Sequence, residues 1–192
     1  EVLVVATTKD DNSPRGRHPI GVVAQFFRLW EPKSEEPLIV VAYGVKLSDL
    51  AVPAVASMVD VQAVLRRWDL DQSEWSVDSL PGRFALPNDR NDKTYLTAFK
   101  VMAAQATPFA WGLSVSQDTT RWGRAWGEAK GLSESTLELS DVIVAPVSRG
   151  LSWVLDGERV FLSPGGNLSR DEPLHIYYQV RSGGAGATVA TT

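Results

Sequence analysis

Apolar and polar residues alternate with a period of two along most of the chain, and turn-forming residues interrupt the pattern at short intervals. That combination predicts strands of an all-β protein rather than alternating strands and helices. Val22 to Trp30 is a β-rich, partly alternating run, and Pro37 to Val45 is continuously apolar, as suits a central strand. The polar stretch Glu31 to Glu36 between them reads as a turn. From Val59 onward, Val59, Val61, Ala63 and Leu65 face one way while Asp60, Gln62 and Arg66 face the other, the pattern of a strand with one wet side. Thr94 to Ala104 alternates less cleanly. Phe109, Trp111, Leu113 and Val115 then interleave strictly with Ala110, Gly112, Ser114 and Ser116, and Asp118, Thr119 and Thr120 turn the chain into Arg121 to Ala129, which predicts a hairpin. Leu47 to Met58 carries Pro53 at its centre and is expected to form a loop with at most one helical turn.

Gly131, Ser133 and Ser135 make Lys130 to Thr136 the natural boundary before a fresh apolar run. Beyond it, strands are expected at Leu137 to Ala145, Ser152 to Leu155, Arg159 to Leu162 and Leu174 to Val180. The halves echo each other: Glu36, Pro37, Leu38 opens a strand containing Tyr43, and Glu172, Pro173, Leu174 opens one containing Tyr177 and Tyr178. The expected fold is all-β, with two tandem immunoglobulin-like β-sandwich modules at residues 1–133 and 134–192. The second is short for a seven-stranded sandwich, so it is expected to be incomplete or completed by a partner strand.

With 192 residues, 44% of them hydrophobic, the chain can bury a core without a metal or disulfide staple. A net charge of −4, with both signs dispersed, lacks the basic excess that neutralising many phosphates requires, so nucleic acid is not an expected partner. No run of apolar residues is long enough for a membrane-spanning helix. The absence of cysteine rules out disulfides, Cys-ligated zinc and thiol chemistry; it fits an exported bacterial protein and equally a cytosolic one, and the expected location is the periplasm or the cell exterior, peripheral to a membrane. The chain opens on Glu1 rather than Met, as expected of a processed or cut N-terminus that leaves room for a removed signal peptide. Near the other end, Ser182, Gly183, Gly184, Ala185, Gly186 and Ala187 form a glycine-rich tail that orders only when something holds it, which marks Gly183 and Gly184 as docking candidates.

Leu139, Ser140, Asp141, Val142, Ile143, Val144 and Ala145, then Ser163 and Pro164, then the run from Arg170 through Asp171, Glu172, Pro173, Leu174, His175, Ile176 and Tyr177 to Tyr178, resemble the β-sandwich region of bacterial GWxTD-domain proteins. The resemblance spans about Leu137 to Val180 and implies a sandwich fold and export. The Gly-Trp-x-Thr-Asp motif that names the family does not occur here, so the resemblance carries no activity. More loosely, a cysteine-free sandwich with such a tail is similar to a periplasmic accessory subunit of a bacterial photosynthetic reaction-centre and light-harvesting complex, which implies membrane-complex subunits as partners.

The residues offer little for catalysis. The two histidines are His18, in a basic loop, and His175, alternating with Ile176 on an expected strand; neither is paired in sequence with a nucleophile. Gly112 to Ser116 ends in serine where a nucleophile elbow needs glycine. Asp69, Asp71, Ser73 and Glu74 imitate a calcium loop, but Glu74 stands where glycine is needed and Leu80 where a bidentate carboxylate is needed. Asn88, Asp89, Asn91 and Asp92 read as an Asx-rich turn. Asn167, Leu168, Ser169 has the form of a glycosylation sequon, with meaning only in a eukaryotic secretory setting. No glycine-rich loop joins a strand to a helix. No catalytic, cofactor-binding or metal-ligating residue is expected, and no cofactor.

Seven tryptophans are the unusual feature. Tryptophan pairs a large apolar face with an N–H donor and concentrates in cores, at interfaces and on sugar-stacking platforms. Trp111 belongs to an alternating apolar face and is expected in the core. Trp122 and Trp126 share a face with Arg124 and Glu128, while Gly123, Ala125, Gly127 and Ala129 occupy the other; the period alone does not say which face is buried. The candidate partner-binding residues are Trp122, Arg124, Trp126, Gly183 and Gly184. The expected function is that of a non-catalytic structural or assembly subunit docking on a larger complex. The alternative is a carbohydrate-binding module that stacks sugars on Trp122, Trp126 and Trp75.

Overall fold

The computed structural model describes residues 18–70, 73–91, 93–104, 108–129, 137–147, 151–164, 168 and 171–182. Its strands are β1 (His18–Pro19), β2 (Val22–Trp30), β3 (Pro37–Lys46), β4 (Met58–Asp60), β5 (Gln62–Asp69), β6 (Trp75–Leu80), β7 (Arg83–Ala85), β8 (Tyr95–Ala103), β9 (Phe109–Ser116) and β10 (Arg121–Ala129). Six more follow after residue 136: β11 (Leu137–Leu139), β12 (Ile143–Pro146), β13 (Leu151–Leu155), β14 (Glu158–Leu162), β15 (Leu174–Tyr177) and β16 (Val180–Ser182). The one helical element among the described residues is a single 3₁₀ turn, Leu47–Asp49, so the chain is all-β as the period-two pattern requires. The boundary segment 130–136 and the tail glycines Gly183 and Gly184 lie outside the described residues.

Three layers result. A five-stranded sheet runs β1-β10-β9-β5-β6, and a three-stranded sheet runs β2-β3-β8. The C-terminal strands pair in twos, β11 with β16, β12 with β15 and β13 with β14. The three-stranded sheet is the middle layer. One of its faces, with Val22, Ala24, Ile39, Val41, Tyr43 and Val45, packs on Ala63, Leu65, Leu113, Val115 and Ala125 of the five-stranded sheet. The other face, with Phe27, Leu29, Val40 and Ala42, packs on Ile143, Leu155, Val160, Leu162 and Tyr177. The continuous apolar run in β3 follows from this placement: Ile39 to Val45 are buried in succession, and a strand covered on both faces has no position for a polar residue. Each such side chain contributes about 1.5–3 kcal/mol on full burial.

Polar groups close the free edge of the middle sheet. Asp141 lies along β2, where its Oδ2 accepts the Arg28 N–H at 2.8 Å and its backbone N–H donates to the Arg28 carbonyl at 3.1 Å. The Arg28 guanidinium grips the same carboxylate, Nε to Oδ2 at 2.9 Å and NH2 to Oδ1 at 2.5 Å. That hydrogen bonding raises the Arg28 pKa against the opposing cost of burial. Two residues on, Gln179 completes the pattern: Trp30 N–H donates to its Oε1 at 2.7 Å and its Nε2 donates to the Trp30 carbonyl at 2.9 Å. Gln179 is 2% exposed, so its amide takes the place of a missing strand.

These caps correct two strand boundaries. Leu137 to Ala145 is not one strand, because the chain leaves the sheet at Ser140 and Asp141 to bond β2 and resumes at Ile143. Leu174 to Val180 likewise divides at Tyr178 and Gln179. The run from Val59 also splits, at Val61, whose N–H donates to the Gly82 carbonyl at 2.7 Å as the chain passes from the small β4–β7 pair into the five-stranded sheet. A Cβ on Gly82 would collide with the Val61 carbonyl oxygen, and one on Gly123 with that of Ile20. The β13–β14 hairpin turns through Asp156 (φ 49°) and Gly157 (φ 88°), the left-handed pair that a two-residue turn requires.

Two predictions arise from this packing. Asp141→Ala should cost about 2–4 kcal/mol, because it removes the carboxylate that accepts from both the part-buried guanidinium and the Arg28 N–H. Gln179→Ala should cost about 1–3 kcal/mol. Urea unfolding at constant slope measures both. In the same assay Gly82→Ala and Gly123→Ala should each lose about 2 kcal/mol or more, since the obstructing atoms are backbone. Gly112→Ala, with no atom within 4 Å of the added methyl, should stay within about 0.5 kcal/mol of the parent.

Candidate functional site

In β10 the small residues face inward and the large ones outward. Ala125 is 1% exposed and Gly123 is buried, whereas Arg124 and Glu128 are exposed and Trp126 is 45% exposed. Trp122 is half-buried, with the Arg124 guanidinium 4.8 Å above its ring centre. The inward choice is steric, because Gly123 sits against the Ile20 backbone where the chain crosses from β1 to β2 and no larger residue fits. Trp111 is in the core as expected, stacked on Phe26 with centroids 4.2 Å apart.

Strand register extends the outward face into a platform. Trp126 lies opposite Gly112, Gly112 opposite Arg66, and Arg66 opposite Val77. The next row holds Glu128, Ala110, Trp68 and Trp75, and the row on the other side holds Arg124, Ser114, Val64 and Ser79. Trp75 is 65% and Val77 64% exposed, and the Trp68 and Trp75 rings lie 4.9 Å apart. β9 therefore forms a low floor of Ala110, Gly112, Ser114 and Ser116, with indoles rising on both sides. The three strand spacings from β10 to β6 span about 14 Å. The volume above Gly112 is open.

Of the sequence candidates, Trp122, Arg124 and Trp126 fall on this platform, and Gly183 and Gly184 lie outside the described residues. Sequence reasoning grouped Trp75 with Trp122 and Trp126 only in the sugar-stacking alternative, and it missed Val77 and Trp68 as parts of the same face. The signal was present in the wet side of β5, since Gln62, Val64, Arg66 and Trp68 share one parity, but the pairing of β5 with β9 is not written in either strand alone.

The remaining chemical candidates take the following places among the described residues. Asp69 is buried at the start of a turn in which its N–H donates to the Glu74 carbonyl at 2.9 Å and its carbonyl accepts from Ser73 at 3.0 Å; Asp71 lies outside the described residues. Asn91 Oδ1 accepts from Lys93 N–H at 2.9 Å and the Thr94 hydroxyl at 3.2 Å, an Asx turn; Asp92 is likewise outside. His18 is exposed and pairs with Arg121 in the short β1 ladder. His175 is wedged edge-on to Phe161 at 5.2 Å, and its Nδ1 has no hydrogen-bond partner among the described residues. Among those residues no three His, Cys, Asp or Glu side chains gather as a metal site.

The turn that delivers β10 is held by Asp118. Its carboxylate accepts the Thr120 hydroxyl at 2.8 Å, the Thr120 and Arg121 N–H groups at 2.7 Å each, and the Arg121 guanidinium at 3.0 Å. The Thr120 hydroxyl foremost, then those N–H groups, hold its pKa well below the ordinary 3.8. A depressed folded-state pKa means that the stabilisation is complete above the unfolded value and is lost as pH falls through the folded one. The hairpin should therefore stay ordered at pH 4 and loosen only in stronger acid, whereas Asp118→Asn should remove this acid dependence; NMR titration of the Thr120 and Arg121 amides reads both. Comparison with known proteins finds no matching family model, no matching curated protein and no matching solved structure.

Proposed function

We propose that this protein is a non-catalytic assembly subunit that docks, through the outer face of its five-stranded sheet, onto a larger membrane-bound protein complex on the extracytoplasmic side. The observation that carries this reading is the platform itself, with Trp126, Trp75 and Val77 exposed on one face while Ala63, Leu65, Leu113, Val115 and Ala125 on the reverse side are buried in the core. Aromatic residues on a rigid sheet supply large contact area at low entropic cost, and a solitary domain usually avoids so much contiguous apolar surface. The absence of cysteine is compatible with an extracytoplasmic setting. No helix among the described residues is long and apolar enough to cross a membrane. In this reading the C-terminal module, residues 134–192, is an immunoglobulin-like unit that completes its core with Phe27, Leu29, Val40 and Ala42 of the first, and the glycine-rich tail adds a second docking element.

One observation favours a second reading. The open strip above Gly112, flanked by Trp126 and the Trp68–Trp75 pair, has the form of a sugar-stacking trough, in which indole faces take the apolar faces of pyranose rings.

Trp126→Ala and Trp75→Ala test the two together. Each should change stability by less than about 0.5 kcal/mol, because the rings are substantially solvated. Each should weaken association with partner subunits about thirtyfold, as loss of an interfacial tryptophan does. Pull-down from native membranes followed by mass spectrometry reads the association and tells whether the subunits recovered belong to a photosynthetic assembly. If partner recovery is unchanged and binding to a polysaccharide array is lost, the carbohydrate reading replaces the docking one.

A further inference from the structure

The outer floor of the five-stranded sheet carries more than indoles. Arg66 is exposed on the wet side of β5, in the row that runs from Trp126 through Gly112 to Val77. That row offers it no carboxylate, and neither do Gln62, Val64 and Trp68 on the same side of its own strand. Glu128 lies two strands away and one row along. The Arg66 guanidinium has no hydrogen bond or ion pair among the described residues. It does not lie across the strip either, since the space above Gly112 is open to 4 Å. Its neighbours differ: Arg67 is held by Asp78 at 2.9 Å, Arg121 by Asp118 at 3.0 Å, and Arg124 sits over the Trp122 ring.

A solvated arginine is common on a protein surface, but this one stands in a trough with a particular chemistry. The side chains of Gln62, Ser114 and Ser116 line the same face and also hold no hydrogen bond among the described residues. The floor they border runs along β9 from Ala110 to Ser116, about 20 Å of extended strand. Indole faces take the apolar faces of sugar rings, while hydroxyls and an amide can exchange hydrogen bonds with ring hydroxyls. A guanidinium adds a planar fork that matches a carboxylate with two parallel N–H···O bonds. A neutral sugar laid in the trough would take water from Arg66 and return no acceptor of equal strength, whereas a sugar acid supplies one. The chain as a whole is at −4, so its attraction for an anion is local to this row and short in range.

We propose that the trough binds an acidic polysaccharide, a linear chain of uronate residues, with Arg66 gripping a ring carboxylate while Trp126 and Trp75 stack on neighbouring rings. The inference rests on the sugar-stacking reading of this face and narrows it to one class of glycan by charge complementarity.

Isothermal titration calorimetry of the full chain tests it, with hexamers of galacturonate and of mannuronate, each beside its methyl-esterified, uncharged form. The parent should bind at least one acid about tenfold more tightly than its ester, and the difference should shrink as salt is raised. Arg66→Gln should bring the acid down to the affinity of the ester while leaving the ester unchanged, and Arg66→Lys should restore part of the difference. Because the residue is exposed, both variants should keep the parent's circular dichroism and melting temperature. Acid and ester binding equally to the parent, or an Arg66→Gln chain that keeps the preference for the acid, overturns the proposal. In that case ester binding that disappears in Trp126→Ala leaves the sugar-stacking reading standing. If the parent binds neither acid nor ester, that reading falls and this inference falls with it.

Discussion

A sheet that is apolar on both faces must be covered twice, and most of this architecture follows from meeting that requirement for β3 and its neighbours. Val41, Tyr43 and Val45 point into one core and Val40 and Ala42 into the other, and all are fully or almost fully buried. Removing either cover would return several of these side chains to water, at roughly 1.5–3 kcal/mol each. The five-stranded sheet covers one side with a broad, regular surface. The other side is covered by short paired strands that have only part of a core of their own and use Phe27, Leu29, Val40 and Ala42 to complete it. The two halves of the chain are therefore coupled through a shared layer.

Sharing the middle layer creates a polar problem, because an edge strand in a buried setting carries N–H and carbonyl groups that water does not reach. Asp141 and Gln179 answer it by interrupting their own strands. Each leaves its local ladder to hydrogen bond β2, and the cost of a broken strand is offset by satisfied groups at Arg28 and Trp30. The Tyr43 hydroxyl, which donates to the Pro81 carbonyl, meets the same demand within the larger core, where burial pushes its pKa upward.

The outer platform is the converse of this economy. Gly123 and Ala125 are small because the crossing chain at Ile20 presses on them, and strand alternation then leaves Trp122, Arg124, Trp126 and Glu128 no place but the solvent side. β9 repeats the logic with opposite weights, carrying Phe109, Trp111, Leu113 and Val115 inward and a floor of small residues outward. A smooth floor beside raised indoles is thus a by-product of how two adjacent strands divide large and small residues between their faces.

The local record in the sequence was sufficient for β2, β3, the β9–β10 hairpin and the single turn after Lys46, because period, proline and turn chemistry act over a few residues. It was sufficient to put Trp111 in the core. It was insufficient wherever a residue serves a distant partner: Ser140 and Asp141 read as strand, and only β2, more than a hundred residues earlier, explains why the strand stops there. The orientation of β10 had the same character, since alternation gives two faces and no preference between them until Ile20 blocks one. The platform also needed the register of β5 with β9 to bring Trp68 and Trp75 beside Gly112. By itself the sequence determined where most of the long strands run and which of their residues share a face. The tertiary structure decided which face is wet and where a strand gives up its ladder, because those choices depend on backbone atoms far away in the chain that pattern does not encode.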